Sequence, residues 1–300
     1  MRYRGLLSVI VAIVVLVAAC DAKRDEQPEY REPVVVYAPA EFEERLIAWF
    51  ADSRFAVTMV TGDSASLTDK VINKQDSPRA DVLLTSNVLD IWRAGDEGSL
   101  RPIERGALEG VPAVLKDPDN AWAAYGHHRL IIAAAQTAGD LRKVDYRDLG
   151  GAEMAGKLCL SSSRLPINQM LVAMLVEELG VKPAERLVRG WVHNLARAPY
   201  ASQDELIEAL QRGVCTFGIV SARDDLGPLR VVLTSPTYVA IDGVGISRHA
   251  QHPDAGQRLV GWMLSTYRPD ELHGSLVSNV GIGGWRAEDA RLLAERAGYR

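Results

Sequence analysis

The chain has 300 residues, 47% of them hydrophobic and 24% charged, with 34 Lys and Arg against 39 Asp and Glu. A formal charge of −5 offers no basic footprint to displace counterions from phosphates, which speaks against a nucleic-acid partner. The apolar content speaks against disorder, and the length allows one large domain or two ordinary ones.

At the amino terminus, Arg2 and Arg4 precede an apolar run from Leu6 to Ala19 that ends in Val17-Ala18-Ala19-Cys20. A positive start, a stretch shorter than the roughly 20 residues of a spanning helix, and small residues before a cut site make a secretion signal. Cys20 directly after them resembles a lipobox, in which the thiol is acylated and the chain is cut before it. The expected location is periplasmic or at the cell surface, anchored in a membrane through Cys20, with Asp21 pointing to the inner membrane. Removing 19 of 300 residues leaves 281 and takes away two arginines and no acid, so the charge of −5 becomes −7. Residues 20–32 are charged, contain a proline and lack apolar periodicity, and are expected to form a tether.

From Val34 onward, short β-branched runs alternate with amphipathic stretches, the pattern of βαβ units around a mainly parallel sheet. Strands are expected at Val34–Tyr37, Ala56–Val60 and Asp81–Leu84, with helices over 41–50 and 65–75. The apolar stretch from Trp122 to Gln136 predicts a long strand, a candidate crossing between lobes. A second α/β set follows: a strand at Lys157–Leu160, helices over 167–179 and 183–195, and a helix opened by Ser202-Gln203-Asp204-Glu205. That tetrapeptide is a capping box, in which Ser202 and Glu205 each satisfy the other's backbone N–H. The strand Cys215–Val220 closes the set, Tyr238–Ile246 predicts a return strand, and 253–266 a packing helix.

With Cys20 assigned to lipid, Cys159 and Cys215 remain as an even pair in an oxidising compartment. A disulfide and two buried thiols are both compatible with their short apolar runs. No Cys-x-x-Cys, Gly-x-Ser-x-Gly, P-loop or His-Glu-x-x-His occurs, so no enzyme, metal site or cofactor is expected. His127 and His128 are adjacent on a strand and project to opposite faces, so that one of them can face a cleft.

The segments VVVYAPAEFEE (34–44), GDSASLTDKV (62–71), SPRADVLLTSN (77–87), DPDNAWAAYG (117–126), GKLCLSSS (156–163), WVHNL (191–195), RGVCTFGIVS (212–221) and GVGISRHAQHPDAGQRLVGWMLS (243–265) occur in an order that resembles one family. It is that of the periplasmic ferric-ion-binding proteins of ABC importers and their relatives for small anions. The resemblance implies an α/β, two-lobed periplasmic-binding-protein-like fold of type II, each lobe a mainly parallel sheet flanked by helices. Residues 33–125 with 225–267 would form one lobe and 126–224 with 268–300 the other. Hinge crossings are expected near 124–132 and 221–228.

In such folds the ligand sits where strand ends meet helix amino termini, because unpaired N–H groups and the helix dipole attract negative charge there. The positions so placed are Tyr37, Glu41, Ser64, Ser86, Asn87, His127, Ser161, Ser162, Ser163, Asn168, Arg223 and Asp224, with Ser202 and Ser221 at matching points. Ferric-ion binders of the family commonly place a histidine after the first strand, a glutamate after the third and a tyrosine pair after the strand at 215–220. Here those positions hold Glu41, Ser86, and Arg223 with Asp224. A guanidinium would repel a trivalent cation and suits a carboxylate, phosphate or phosphonate, which its planar fork can hold through two hydrogen bonds. An ion pair of Arg223 with Asp224 or Asp225 at a loop rim is the plain alternative.

The expected function is thus a monomeric extracytoplasmic lipoprotein that captures a small organic or phosphorus-containing anion between its lobes and delivers it to a membrane transporter permease. Two alternatives stay open. The same fold could take a neutral or apolar ligand such as a lipid or sterol, or the chain could sense a ligand without transporting it.

Overall fold

The computed structural model describes residues 31–139, 144–222, 225–232, 234, 237–267 and 279–300. The first half of the chain builds one sheet. Strand β1 (Glu32–Pro39) pairs in parallel with β2 (Phe55–Gly62) and, on its other side, with β3 (Val82–Thr85). Helices α1 (Glu43–Ala51), α2 (Ser64–Ile72) and α3 (Val88–Asp96) follow these strands in turn. Each strand therefore delivers its carboxyl end to the same rim, where the next helix begins. The buried carboxylate of Asp81 ties this sheet together by accepting from the N–H of Val35 at 2.9 Å and of His252 at 2.7 Å. Two charge-assisted bonds offset the cost of removing that charge from water.

The stretch from Trp122 makes the crossing. Strand β5 (Trp122–Ala134) pairs antiparallel along Trp122–Arg129 with β9 (Val239–Ser247), which in turn pairs with β3 and the short β4 (Leu100–Arg101). Its second half, Leu130–Ala134, pairs with β7 (Phe217–Ser221) in the other sheet. The register slips between Ala124 and Gly126. Glycine is needed there, since a Cβ at Gly126 would lie 2.7 Å from Asp242 Oδ2. The return differs in place from the expectation of 221–228, and from a first lobe resuming at 225. Strand β8 (Arg230–Val232) still pairs with Ile132–Ala134 in the second sheet, and the chain rejoins the first sheet only at Val239. One uninterrupted β5 offers a continuous ladder along which β8 and then β9 align.

The second sheet is completed by β6 (Leu158–Cys159), parallel to β7. Helices α4 (Pro166–Leu179), α5 (Val181–His193) and α6 (Gln203–Gln211) surround it, α7 (Pro253–Thr266) packs on the first sheet, and α8 (Ala287–Ala297) closes the chain. The Ser202 side chain accepts from Glu205 N–H at 3.2 Å and Glu205 accepts from Ala201 N–H at 3.0 Å, one residue earlier than a strict reciprocal box. Cys159 and Cys215 form a disulfide with a Cα separation of 5.9 Å, which resolves the two readings in favour of the bond.

The end of α5 docks against the turn at 146–151. Trp191 Nε1 donates to the Tyr146 carbonyl at 2.7 Å, and Asn194 Nδ2 donates to those of Leu149 and Gly151 at 2.9 and 2.6 Å. The approach is close enough that a Cβ at Gly190 would lie 2.7 Å from the Gly150 carbonyl oxygen and 2.9 Å from its Cα. Both neighbours are backbone and cannot rotate away. Gly→Ala inside a helix ordinarily gains up to about 1 kcal/mol. Here overpacking of about 1–3 kcal/mol should reverse the sign, and G190A is expected to lower the urea midpoint with its slope unchanged. A raised midpoint would show that the two backbones have room to separate.

Candidate functional site

A cleft of about 250 Å³ opens between the sheets, at the rim where strands end and helices begin. The first lobe contributes Ser86, Asn87 and Val88; the second contributes Leu165, Pro166, Ile167, Met170, Ser202, Gln203 and Ser221; the crossing strands add His128 and Ala240. Three helices thus present their first residues to it. Asn87 is the N-cap of α3, Leu165 of α4 and Ser202 of α6. The positive end of each helix dipole therefore lies at the cleft lining, with Asp90 N–H capped by Asn87, Glu205 N–H capped by Ser202, and Pro166 at the start of α4 carrying no N–H.

The polar lining is held in place from behind. Asn87 Oδ1 accepts from Asp90 N–H at 3.0 Å while its Nδ2 donates to Asp90 Oδ2 at 2.8 Å, and the Ser64 hydroxyl donates to the same oxygen at 2.7 Å. Gln203 spans the other wall, donating through Nε2 to Ser161 Oγ at 2.6 Å and accepting from Ser221 N–H at 3.2 Å. A side chain fixed at both ends loses little further rotamer freedom when a ligand arrives.

The residues singled out from the sequence fall into three groups. Ser86 and Asn87 line the cleft, as do Ser202 and Ser221. Others support it or lie apart. Tyr37 is buried and donates to the Pro78 carbonyl at 3.1 Å, Glu41 is exposed in the turn before α1 and outside the lining, and Ser64 is buried behind Asp90. Ser161, Ser162 and Ser163 are outside the cleft lining, Ser161 being buried and the other two half-buried. Ser161 is fully buried and accepts from Asn168 Nδ2 at 2.9 Å as well as from Gln203. Asn168 also donates to the Ser161 and Ser162 carbonyls, the Ser162 hydroxyl accepts from Arg164 N–H at 3.3 Å, and Ser163 donates to the Tyr299 carbonyl at 3.0 Å. Tyr299 in turn donates its hydroxyl to the Ser161 carbonyl. Arg223, Asp224 and Cys20 form the third group and lie outside the described residues.

Of the two histidines, His128 faces the cleft and His127 the opposite side of the strand. His127 Nδ1 is 2.8 Å from the Tyr267 hydroxyl. Burial, followed by the Asp242 carboxylate, pushes the Tyr267 phenol above its usual range, so it keeps its proton. Gln203 and the apolar wall of Val88, Ile167 and Met170 were not foreseen. The capping box located the α6 terminus but not the side chain beside it, and apolar residues in an amphipathic stretch carry no mark separating a cleft wall from a core. Among the described residues, no group of three or more His, Cys, Asp or Glu could hold a metal ion. The lining contains no carboxylate among those residues.

No family model matches the chain. In sequence it is similar to iron uptake protein A1 of Synechocystis sp., with 24% identity over 270 residues, covering 82% of this chain and 74% of that protein. Iron uptake protein A2 of the same organism is 22% identical over 231 residues, covering 70% and 67%. Among solved structures, Trichodesmium FutA in complex with iron and citrate superposes with a TM-score of 0.79 at 20% identity, covering 89% of this chain and 100% of that one. The ferric binding protein of Campylobacter jejuni gives 0.76 at 20%, covering 89% and 100%. The fold is that of the type II periplasmic binding proteins, and the sequence relatives are iron uptake proteins.

Proposed function

We propose that this chain is the extracytoplasmic solute-binding protein of an ABC importer, held to a membrane through lipid on Cys20, and that its cleft captures a small anion for the permease. The carrying observation is the convergence of three helix amino termini, with Ser86, Asn87, Ser202, Gln203 and Ser221, on a cleft whose described lining has no acid. Fixed dipoles of this kind favour negative charge. A hard trivalent cation instead requires carboxylate or phenolate oxygens. The volume of about 250 Å³ lies just below the roughly 300–1,000 Å³ usual for ligand sites, which favours a small organic or phosphorus-containing anion over a lipid or sterol.

A second reading follows from the relatives, which are named for iron. The Trichodesmium structure holds iron together with citrate. A ferric ion coated by a carboxylate chelator shows anionic oxygens to its surroundings, and the cleft would then grip the chelator. Thermal denaturation against citrate, phosphate, methylphosphonate, ferric citrate and uncomplexed ferric ion separates these readings. An anion at a hundred times its Kd should add about 2.7 kcal/mol and raise the Tm by roughly 5–10 °C. Stabilisation by ferric ion alone, with every anion silent, would move the site to metal capture. Silence across the whole panel would count against a binding protein. The anchor is checked separately: radiolabelled palmitate should mark the wild-type chain and leave C20A unlabelled.

A further inference from the structure

Residues 279–285 pack on the first lobe and lead into α8 on the second. Val280 N–H donates to the Val114 carbonyl at 3.0 Å, and a Cβ at Gly281 would touch Trp122 at 3.5 Å. The helical turn Ile282–Trp285 then passes behind the cleft, with Gly283 and Gly284 buried. A Cβ at Gly283 would lie 2.8 Å from Val88 Cγ1 and 3.1 Å from Met170 Cγ, and one at Gly284 would lie 2.2 Å from Trp92 Cγ. Val88 and Trp92 belong to α3 of the first lobe, Met170 to α4 of the second, and both Val88 and Met170 line the cleft.

Gly283 thus touches the two apolar walls of the cleft at once without itself lining it. Its backbone is helical, so nothing in its own conformation demands glycine, and alanine would ordinarily be preferred there. The demand comes from its neighbours. Val88 is β-branched and stiff at χ1, and the Met170 contact is made by Cγ close to the backbone, so neither can yield by swinging a flexible end.

We infer that Gly283 is a specificity-determining position: as a spacer one hydrogen wide, it sets the separation of the Val88 and Met170 walls and hence the room for the ligand's apolar part. The ligand half of this inference rests on the proposed role of the cleft. The spacer half is a matter of packing alone.

The test compares wild type with G283A in crystal structures and in binding of methyl-, ethyl-, propyl- and butylphosphonate. The Val88–Met170 separation should widen by roughly 0.7–1.2 Å, the shortfall of 2.8 Å from an ordinary contact of about 3.5–4.0 Å. The affinity ratio of each phosphonate to the one shorter by a methylene should shift about fourfold toward the longer, the effect of one buried CH2. The double variant G283A/V88A should bring the walls back toward the wild-type separation, which a merely misfolded G283A would not do. Unchanged walls and an unchanged ratio overturn the inference. If wild type binds no phosphonate while G283A still widens the gap, the anion reading of the cleft falls and the spacer stands.

Discussion

Removing the disulfide as C159A/C215A should lower the Tm by about 10 °C. The bond joins residues 56 apart in sequence, and cross-linking a loop of that size removes chain entropy from the unfolded state corresponding to about 4 kcal/mol. Native relaxation and residual unfolded structure reduce such figures, so about 3 kcal/mol is the working value, and a chain of this size loses roughly 2–4 °C per kcal/mol. The location adds a local effect. Cys159 is on β6, which runs directly into the Ser161 loop, and Cys215 precedes β7, which ends at Ser221. Those two points anchor Gln203. Calorimetry of the variant, and of wild type in dithiothreitol, checks the prediction, and a fall of less than 2 °C would mean that the second lobe's apolar cluster holds without the cross-link.

How much of this was legible in the sequence depends on whether the deciding signal is local. Periodicity placed β1, β2, β3, β5 and β9 and most helices to within a few residues, because alternation and 3.6-residue spacing are properties of neighbouring positions. Helix α8 went unread and α3 was given no bounds, since their polar faces mask the apolar stripe. The triple serine illustrates the other limit. A strand, three hydroxyls and a helix read as an anion cradle, yet Asn168 and the distant Tyr299 hold Ser161 buried, and none of the three serines lines the cleft. Tyr299 lies 138 positions from Ser161, and no local pattern announces such a contact. His127 and His128 show the same division: opposite faces follow from strand geometry, whereas which face meets the cleft depends on how β5 twists from one sheet to the other.

The sign of the cleft's preference can be read with one substitution, Gln203→Glu. Glutamate keeps the oxygen that accepts from Ser221 N–H, and the Ser161 hydroxyl can rotate to donate where it now accepts, so the wall survives. The position is the first residue of α6, where a negative side chain meets the positive end of the dipole and is favourable by several tenths of a kcal/mol. Folding stability should therefore be unchanged or slightly raised. Binding should respond strongly. A new charge about 5 Å from a bound anion, at an effective dielectric near 20, opposes it by about 3 kcal/mol, or roughly a hundredfold in Kd. Calorimetric titration of wild type and Q203E with the best anion of the panel measures this directly. A bare ferric ion would behave oppositely, since the added carboxylate supplies both charge and a hard oxygen ligand, so tighter iron binding by Q203E would overturn the anion reading. Because the substitution adds no bulk and leaves the fold intact, the direction of the change reports the ligand's charge.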